Sequence, residues 1–197
     1  MINGRIVKML PSVDKVKKNI KFGEVVGLTR TAKKAQDAVV ADLKSTFTLR
    51  GSWWMQSNRF GIKAIPATKD KPEAAVVTRA DWLELHETGG DKKGRGGHRI
   101  AVPSKEVRRN KRQIIQKGQR PRNLKNSFVF QGKYGPVLAR RLKGGPRKGE
   151  VDILYGLEDS VPIKKESTFY EPIKDTVQKH LKEEISKGID YAFRTSK

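Results

Sequence analysis

The side chains in this chain best suited to chemistry are three histidines, His86, His98 and His180, and a run of carboxylates, Asp81, Glu84, Glu87 and Asp91. His86, Glu87, Asp91 and His98 have the composition of a metal site, but their spacing matches no zinc signature. The reading that competes with metal binding makes His86 a packing or hydrogen-bonding residue at the end of a strand. The four carboxylates would suit a two-metal nuclease, yet they fall on a predicted strand and turn with nothing else in support. Gly144 and Gly149 have the separation of a P-loop, but Glu150-Val151 follows them where Lys-Ser/Thr is needed. No Gly-x-Ser-x-Gly elbow is present. Cysteine is absent, which removes disulfides, thiolate metal sites and thiol catalysis. The expectation is a protein without catalytic residues, metal or cofactor.

Charge is where the chemistry lies. Lys and Arg number 43 against 21 Asp and Glu, a net of +22. The excess is concentrated: residues 1–90 carry +7, residues 91–148 carry +17, and residues 149–197 carry −2. A block of that density repels itself unless a polyanion is near, and nucleic acid is the commonest such partner. The candidate contacts are Arg95, Arg99, Arg108, Arg109, Lys111, Arg112, Lys117, Arg120, Arg122, Arg140, Arg141, Arg147 and Lys148. Residues 91–126 contain no aromatic side chain on which bases could stack, so contacts should go to phosphates and be blind to sequence. Gly94-Arg-Gly-Gly97 resembles a short arginine–glycine patch. An acidic protein surface would satisfy the same block equally well.

These residues need a scaffold, and 197 residues at 36% hydrophobic content are enough for one. Arg5–Leu10 reads as a short strand. Ser12 can cap a short helix to about Ile20. The clearest helix runs from about Glu24 to Phe47, with Leu28, Ala32, Ala35, Val39, Leu43 and Phe47 recurring every three or four residues. Ala32 and Ala35 would let another layer approach closely. Phe60–Ile65 and Glu73–Arg79 read as a hairpin. Residues 91–126 read as an extended basic loop or arm with one strand-like piece, Ile100–Pro103. Strands follow at Ser127–Gln131, Pro136–Leu142 and Glu150–Tyr155. A last amphipathic helix spans about Tyr170 to Phe193, with Ile173, Val177, Leu181, Ile185 and Ile189 as its stripe and Glu183, Glu184 and Lys187 on its polar face. Strands framed by helices predict an α+β fold with an antiparallel sheet, taken as one domain over 1–197, with two helices covering one sheet face. No apolar run approaches the length of a membrane span, and Met1–Leu10 is too short for a secretory signal, so a cytoplasmic origin and no membrane contact are expected.

Trp53 and Trp54 are adjacent, so on a strand they would point to opposite sides. One is then either an ordinary core residue or an anchor between subunits. Phe128 and Phe130 share a face and are candidates for core or interface.

The order of pieces resembles a known family. The helix from Gly27 to Phe47 with its Thr31-Ala32 step is followed by the "Lys63-Ala64 … Ala67-Thr68-Lys69" hairpin. Then come Leu85-His-Glu-Thr-Gly-Gly90 and a basic run leading to Ile100-Ala-Val-Pro103. This is similar to the minor tail protein Z family of tailed bacteriophages over about residues 24–103, with the Phe128-x-Phe130 strand and last helix matching in layout over 127–193. The resemblance implies a virion protein at the neck or the head-proximal end of the tail, present in the host cytoplasm during assembly. It implies a ring of identical subunits, a hexamer being expected, that touches neighbouring neck or tail-tube proteins and holds genomic DNA without reading sequence. An RNA-binding structural protein, such as a ribosomal protein, is the alternative that charge and size leave open.

Overall fold

The computed structural model describes residues 12–52, 54–55, 57–166 and 168–196, and these form an α+β fold in two compact units. One unit contains residues up to Ala80 together with the C-terminal stretch, and the other is Asp81–Glu166. The sequence reading treats the chain as one domain. The strand expected at Arg5–Leu10, and Trp53, lie outside the described residues.

The first unit is built on helix α1, Val13–Thr46, and helix α3, Tyr170–Thr195. Ser12 caps α1, its side chain accepting from the Lys15 amide at 3.3 Å. The two helices expected from Ser12 to Phe47 are a single helix of 34 residues. No proline follows Pro11 to break it, and Gly23 costs only about 1 kcal/mol against alanine in a helix interior.

That glycine has a second use. Gly23, Gly27, Thr31, Ala35, Val39 and Leu43 repeat every four residues and are all buried, a narrower and smaller-sided stripe than the apolar count suggests. Gly188 and Ala192 answer from α3. A Cβ on Gly23 would lie 2.5 Å from the Ile189 Cα, and one on Gly27 would lie 2.5 Å from the Ile185 Cα. The helices therefore cross antiparallel with backbones in contact, which only hydrogen at these positions permits. Leu28 and Phe47, expected on the buried stripe, are half-buried beside it.

Glu184, expected on the polar face of the last helix, is instead buried in this seam at 4% exposure. Lys34 on α1 reaches it at 2.8 Å. The carboxyl is held below its ordinary range, first by the hydrogen bond from Lys34 and despite its burial.

Strands β1, Lys63–Ile65, and β2, Ala75–Val77, form the expected hairpin in shortened form, with Ala64 opposite Val76. It sits beside α1: Gln36 Nε2 donates to the Ile62 carbonyl at 2.7 Å, and the Ala67 amide donates to Thr29 Oγ1 at 3.1 Å. The expectation that two helices cover a sheet face is replaced by this arrangement, in which the helices bury their stripes against each other.

The second unit opens with helix α2, Asp81–Thr88, where the sequence predicts a strand end and turn. Only Leu83 of this helix is buried, so its apolar residues give a short amphipathic turn rather than an alternating strand. Strand β3, Gly90–Lys93, pairs antiparallel with β8, Ser160–Ile163, which was not anticipated. The main sheet contains β4, Ile100–Pro103; β5, Ser127–Gly132; β6, Gly135–Arg141; and β7, Val151–Glu158. It is antiparallel with order β4-β7-β6-β5. A bulge between Leu138 and Ala139 on the β6–β7 ladder turns both Leu154 and Tyr155 into buried positions.

Candidate polyanion interface

The register sorts the sheet into two faces. Ala101, Leu138 and Tyr155 lie on one face, under residues from the basic segment: Val107, Ile115 and Leu124 pack with them and with Leu154 into the core of this unit. Residues 104–126, nine basic and one acidic, thus lie over one sheet face as a cover. They have little regular structure, but they are pinned along their length, and the strands Gly90–Lys93 and Ile100–Pro103 occupy the first part of the stretch 91–126 expected as an extended arm. Ser104 Oγ donates to the Ile153 carbonyl at 2.7 Å, and Tyr155 Oη donates to the Gln119 carbonyl at 2.6 Å. Asn110 Oδ1 accepts from the amides of both Arg112 and Ile114 at 2.9 Å, closing the turn that presents Lys111 and Arg112. Two single 3-10 turns, Lys117–Gln119 and Pro121–Asn123, carry Lys117 and Arg122, with Arg120 between them. Burial raises the Tyr155 phenol pKa, against the pull of nearby Arg109.

The opposite face is apolar and open. Phe128 and Phe130 are each 37% exposed, Val102 40% and Ile153 45%. The two phenyl rings lie 5.8 Å apart. Ala139, between Phe128 and Ile153 in the register, is fully buried beneath them. Beside this face β5 forms a sheet edge, and exposed apolar edges are the places where sheets recruit other chains. Of the tryptophan pair, Trp54 is half-buried, with the Lys44 ammonium 4.3 Å from its ring centre.

The candidate cations separate into two classes. Arg95 is 3.6 Å from Asp81, Arg99 is 2.8 Å from Asp159, and Arg147 reaches Glu150 at 2.6 Å and Asp152 at 3.1 Å. These three are engaged within the unit, which lowers their standing as ligand contacts. Among the described residues, Arg108, Arg109, Lys111, Arg112, Lys117, Arg120, Arg122, Arg140, Arg141 and Lys148 make no ion pair. Arg140 is informative: Asp152 stands opposite it in the ladder, yet its carboxylate turns to Arg147.

Of the residues weighed for catalysis, Asp81, His86 and His98 line one cavity of about 550 Å³, while Glu84, Glu87 and Asp91 are not part of its lining. Asp81, Glu84 and Glu87 are spaced along α2 and Asp91 is on β3. His86 packs edge-on against Trp82, ring centres 5.5 Å apart. Among the described residues no group of three or more such side chains could hold a metal ion, and no helix is long and apolar enough to cross a membrane. What sequence reasoning missed here is the joining of Val102 and Ile153 to the Phe128–Phe130 patch. The patch arises from strand order, which alternation within one strand does not reveal.

Comparison of the chain with protein-family models, with curated proteins and with solved structures finds no match.

Proposed function

We propose that this protein is a non-catalytic structural component of a tailed-phage virion, a neck or tail-completion subunit that forms a ring around the DNA path. The observation that carries the reading is the two-sided sheet. One face is covered by a segment with nine basic side chains and one acidic, rich in unpaired arginines. The other exposes Phe128, Phe130, Val102 and Ile153. A ring subunit has both needs at once: apolar surface for its neighbours and cationic surface for the polyanion it surrounds. The resemblance of residues 24–103 and 127–193 to minor tail protein Z supports the same reading. Cations without stacking partners in 91–126 suit a strand of DNA that is held without being read.

The test is to capture the protein from an infected or induced lysate with an antibody and image what accompanies it by electron microscopy. Tail tubes or head–tail necks labelled at one end are expected. Ribosomes or bare nucleic acid with no tubular particles would overturn the reading and favour an RNA-binding structural protein.

A further inference from the structure

A cavity of about 510 Å³ in the second unit lies between the end of β6 and the loop that leads into β5. Five positive side chains line it: Arg108, Lys125, Arg140, Arg141 and Lys143. No carboxylate does, and none of the five makes an ion pair among the described residues. Like charges gathered in one hollow raise each other's energy, and protein anions ordinarily relieve this. Here the available carboxylate has been directed elsewhere, since Asp152, opposite Arg140, pairs with Arg147.

Neutral oxygens hold two of the positive groups in place. Arg141 Nη1 donates to the Gly149 carbonyl at 3.0 Å, and Lys143 Nζ donates to Asn126 Oδ1 at 3.1 Å. Asn126 adopts a left-handed φ of 55°, a conformation that asparagine tolerates better than most residues. Arg141 and Lys143 are therefore positioned without being neutralised, as a preorganised anion site requires. Three guanidinium groups favour the tetrahedral oxygens of phosphate, which they can grip through paired N–H donors. Among the described residues no aromatic ring lines the cavity, so none offers a base a platform there.

We propose that this cavity is a phosphate site that grips the phosphodiester backbone of a nucleic acid, and that it is the strongest single hold within the basic segment. The proposal rests on the reading above only in taking DNA as the polyanion. An acidic protein is the occupant it rejects.

The test uses the full chain, titrated by fluorescence anisotropy with two labelled DNA duplexes of unrelated sequence, a matching RNA duplex and labelled polyglutamate, over a range of salt. The site variant is Arg108→Gln, Arg140→Gln, Lys143→Gln. The control, Lys133→Gln, Lys164→Gln, Lys165→Gln, removes the same charge elsewhere in the unit. Both DNA duplexes should lose at least about thirtyfold in affinity with the site variant at 0.1 M salt, with the salt slope reduced by about 2–3. The control should lose less than about fivefold, with a slope change below about 1. Inorganic pyrophosphate should compete with DNA on the unmodified protein and not on the site variant. RNA bound in the same way and more tightly than DNA would keep the phosphate site and change its source. Equal losses in both triple variants, or polyglutamate bound more tightly than DNA through the same residues, would overturn the proposal. If the site variant fails to fold by circular dichroism, Lys143→Gln alone with the pyrophosphate competition decides. These results stand whatever electron microscopy says of tails, so the site and the virion reading can fail separately.

Discussion

Replacing Gly27 by alanine puts the helix crossing to a direct test, because two effects of known sign oppose each other. In an isolated helix the change favours the folded state by about 1 kcal/mol, through backbone entropy and helix propensity. At the crossing the new methyl would lie 2.5 Å from the Ile185 Cα, 2.7 Å from its amide nitrogen and 2.8 Å from the Glu184 carbonyl oxygen. Normal contact begins near 3.4 Å, so the helices must separate by close to 1 Å against backbone atoms that cannot rotate away. Overpacking of this kind costs about 1–3 kcal/mol and occasionally more, and contact with three backbone atoms places it at the upper end. The net expectation is a loss of about 2 kcal/mol, measured as a lower urea midpoint by circular dichroism. Ala41→Gly, at an exposed position of the same helix, supplies the propensity scale and should cost about 1 kcal/mol. If Gly27→Ala stabilises the protein by as much as Ala41→Gly destabilises it, the helices do not touch at Gly27 and the account of the seam is wrong.

Further outcomes at three residues follow from the same geometry. Glu184 has a folded-state pKa lowered by Lys34, so its contribution is complete above the unfolded carboxylate value of about 4.3 and is lost as pH falls through the lower folded value. Urea midpoints between neutral and acid pH should fall more steeply for the unmodified protein than for Glu184→Gln, and equal slopes would contradict the pairing. Tyr155→Phe removes the hydrogen bond to the Gln119 carbonyl and should cost about 1 kcal/mol. In the unmodified protein, ultraviolet titration should show one phenol ionising above the ordinary tyrosine range. Phe130→Ser on the open sheet face should reduce any oligomer seen by sedimentation while leaving the far-ultraviolet spectrum unchanged. An unaltered oligomer would remove this face from the subunit contact.

The long helices are legible from the spacing of their apolar residues, and the hairpin and the three later strands because proline or glycine lies at their turns. The seam between the helices was not, because the sequence signal for burial is apolar volume and the residues at closest approach, Gly23, Gly27 and Gly188, have none. Their four-residue spacing was visible and would have found it. Glu184 was assigned to the polar face for the matching reason: its partner Lys34 is 150 residues away in the chain, and charge pairing over that distance leaves no local pattern. Strand β8 carries Pro162 and only four residues, so its existence depends on pairing with β3. In the candidate site, the positive charge was plain from composition. The separation of engaged arginines from unpaired ones was not, since it depends on where Asp81, Asp159 and Asp152 come to lie.

The pairing of α1 with α3 also sets a schedule. The ribosome finishes α1 when residue 46 is made, but the helix that covers its glycine seam ends at residue 195. At ordinary synthesis rates of about 5–20 residues per second, the interval is on the order of 10–30 s. During it the stretch Asp81–Glu166 is synthesised, and its core of Val107, Leu154 and Tyr155 is packed by residues within that stretch. The inserted unit can therefore begin to fold while α1 waits. Closing α1 on α3 then joins segments held near each other by a folded insert, which shortens the effective loop and lowers its entropic penalty. Slowing translation between codons 166 and 195 should lengthen the exposure of α1 to proteases, measured as more cleavage within residues 13–46 of nascent chains.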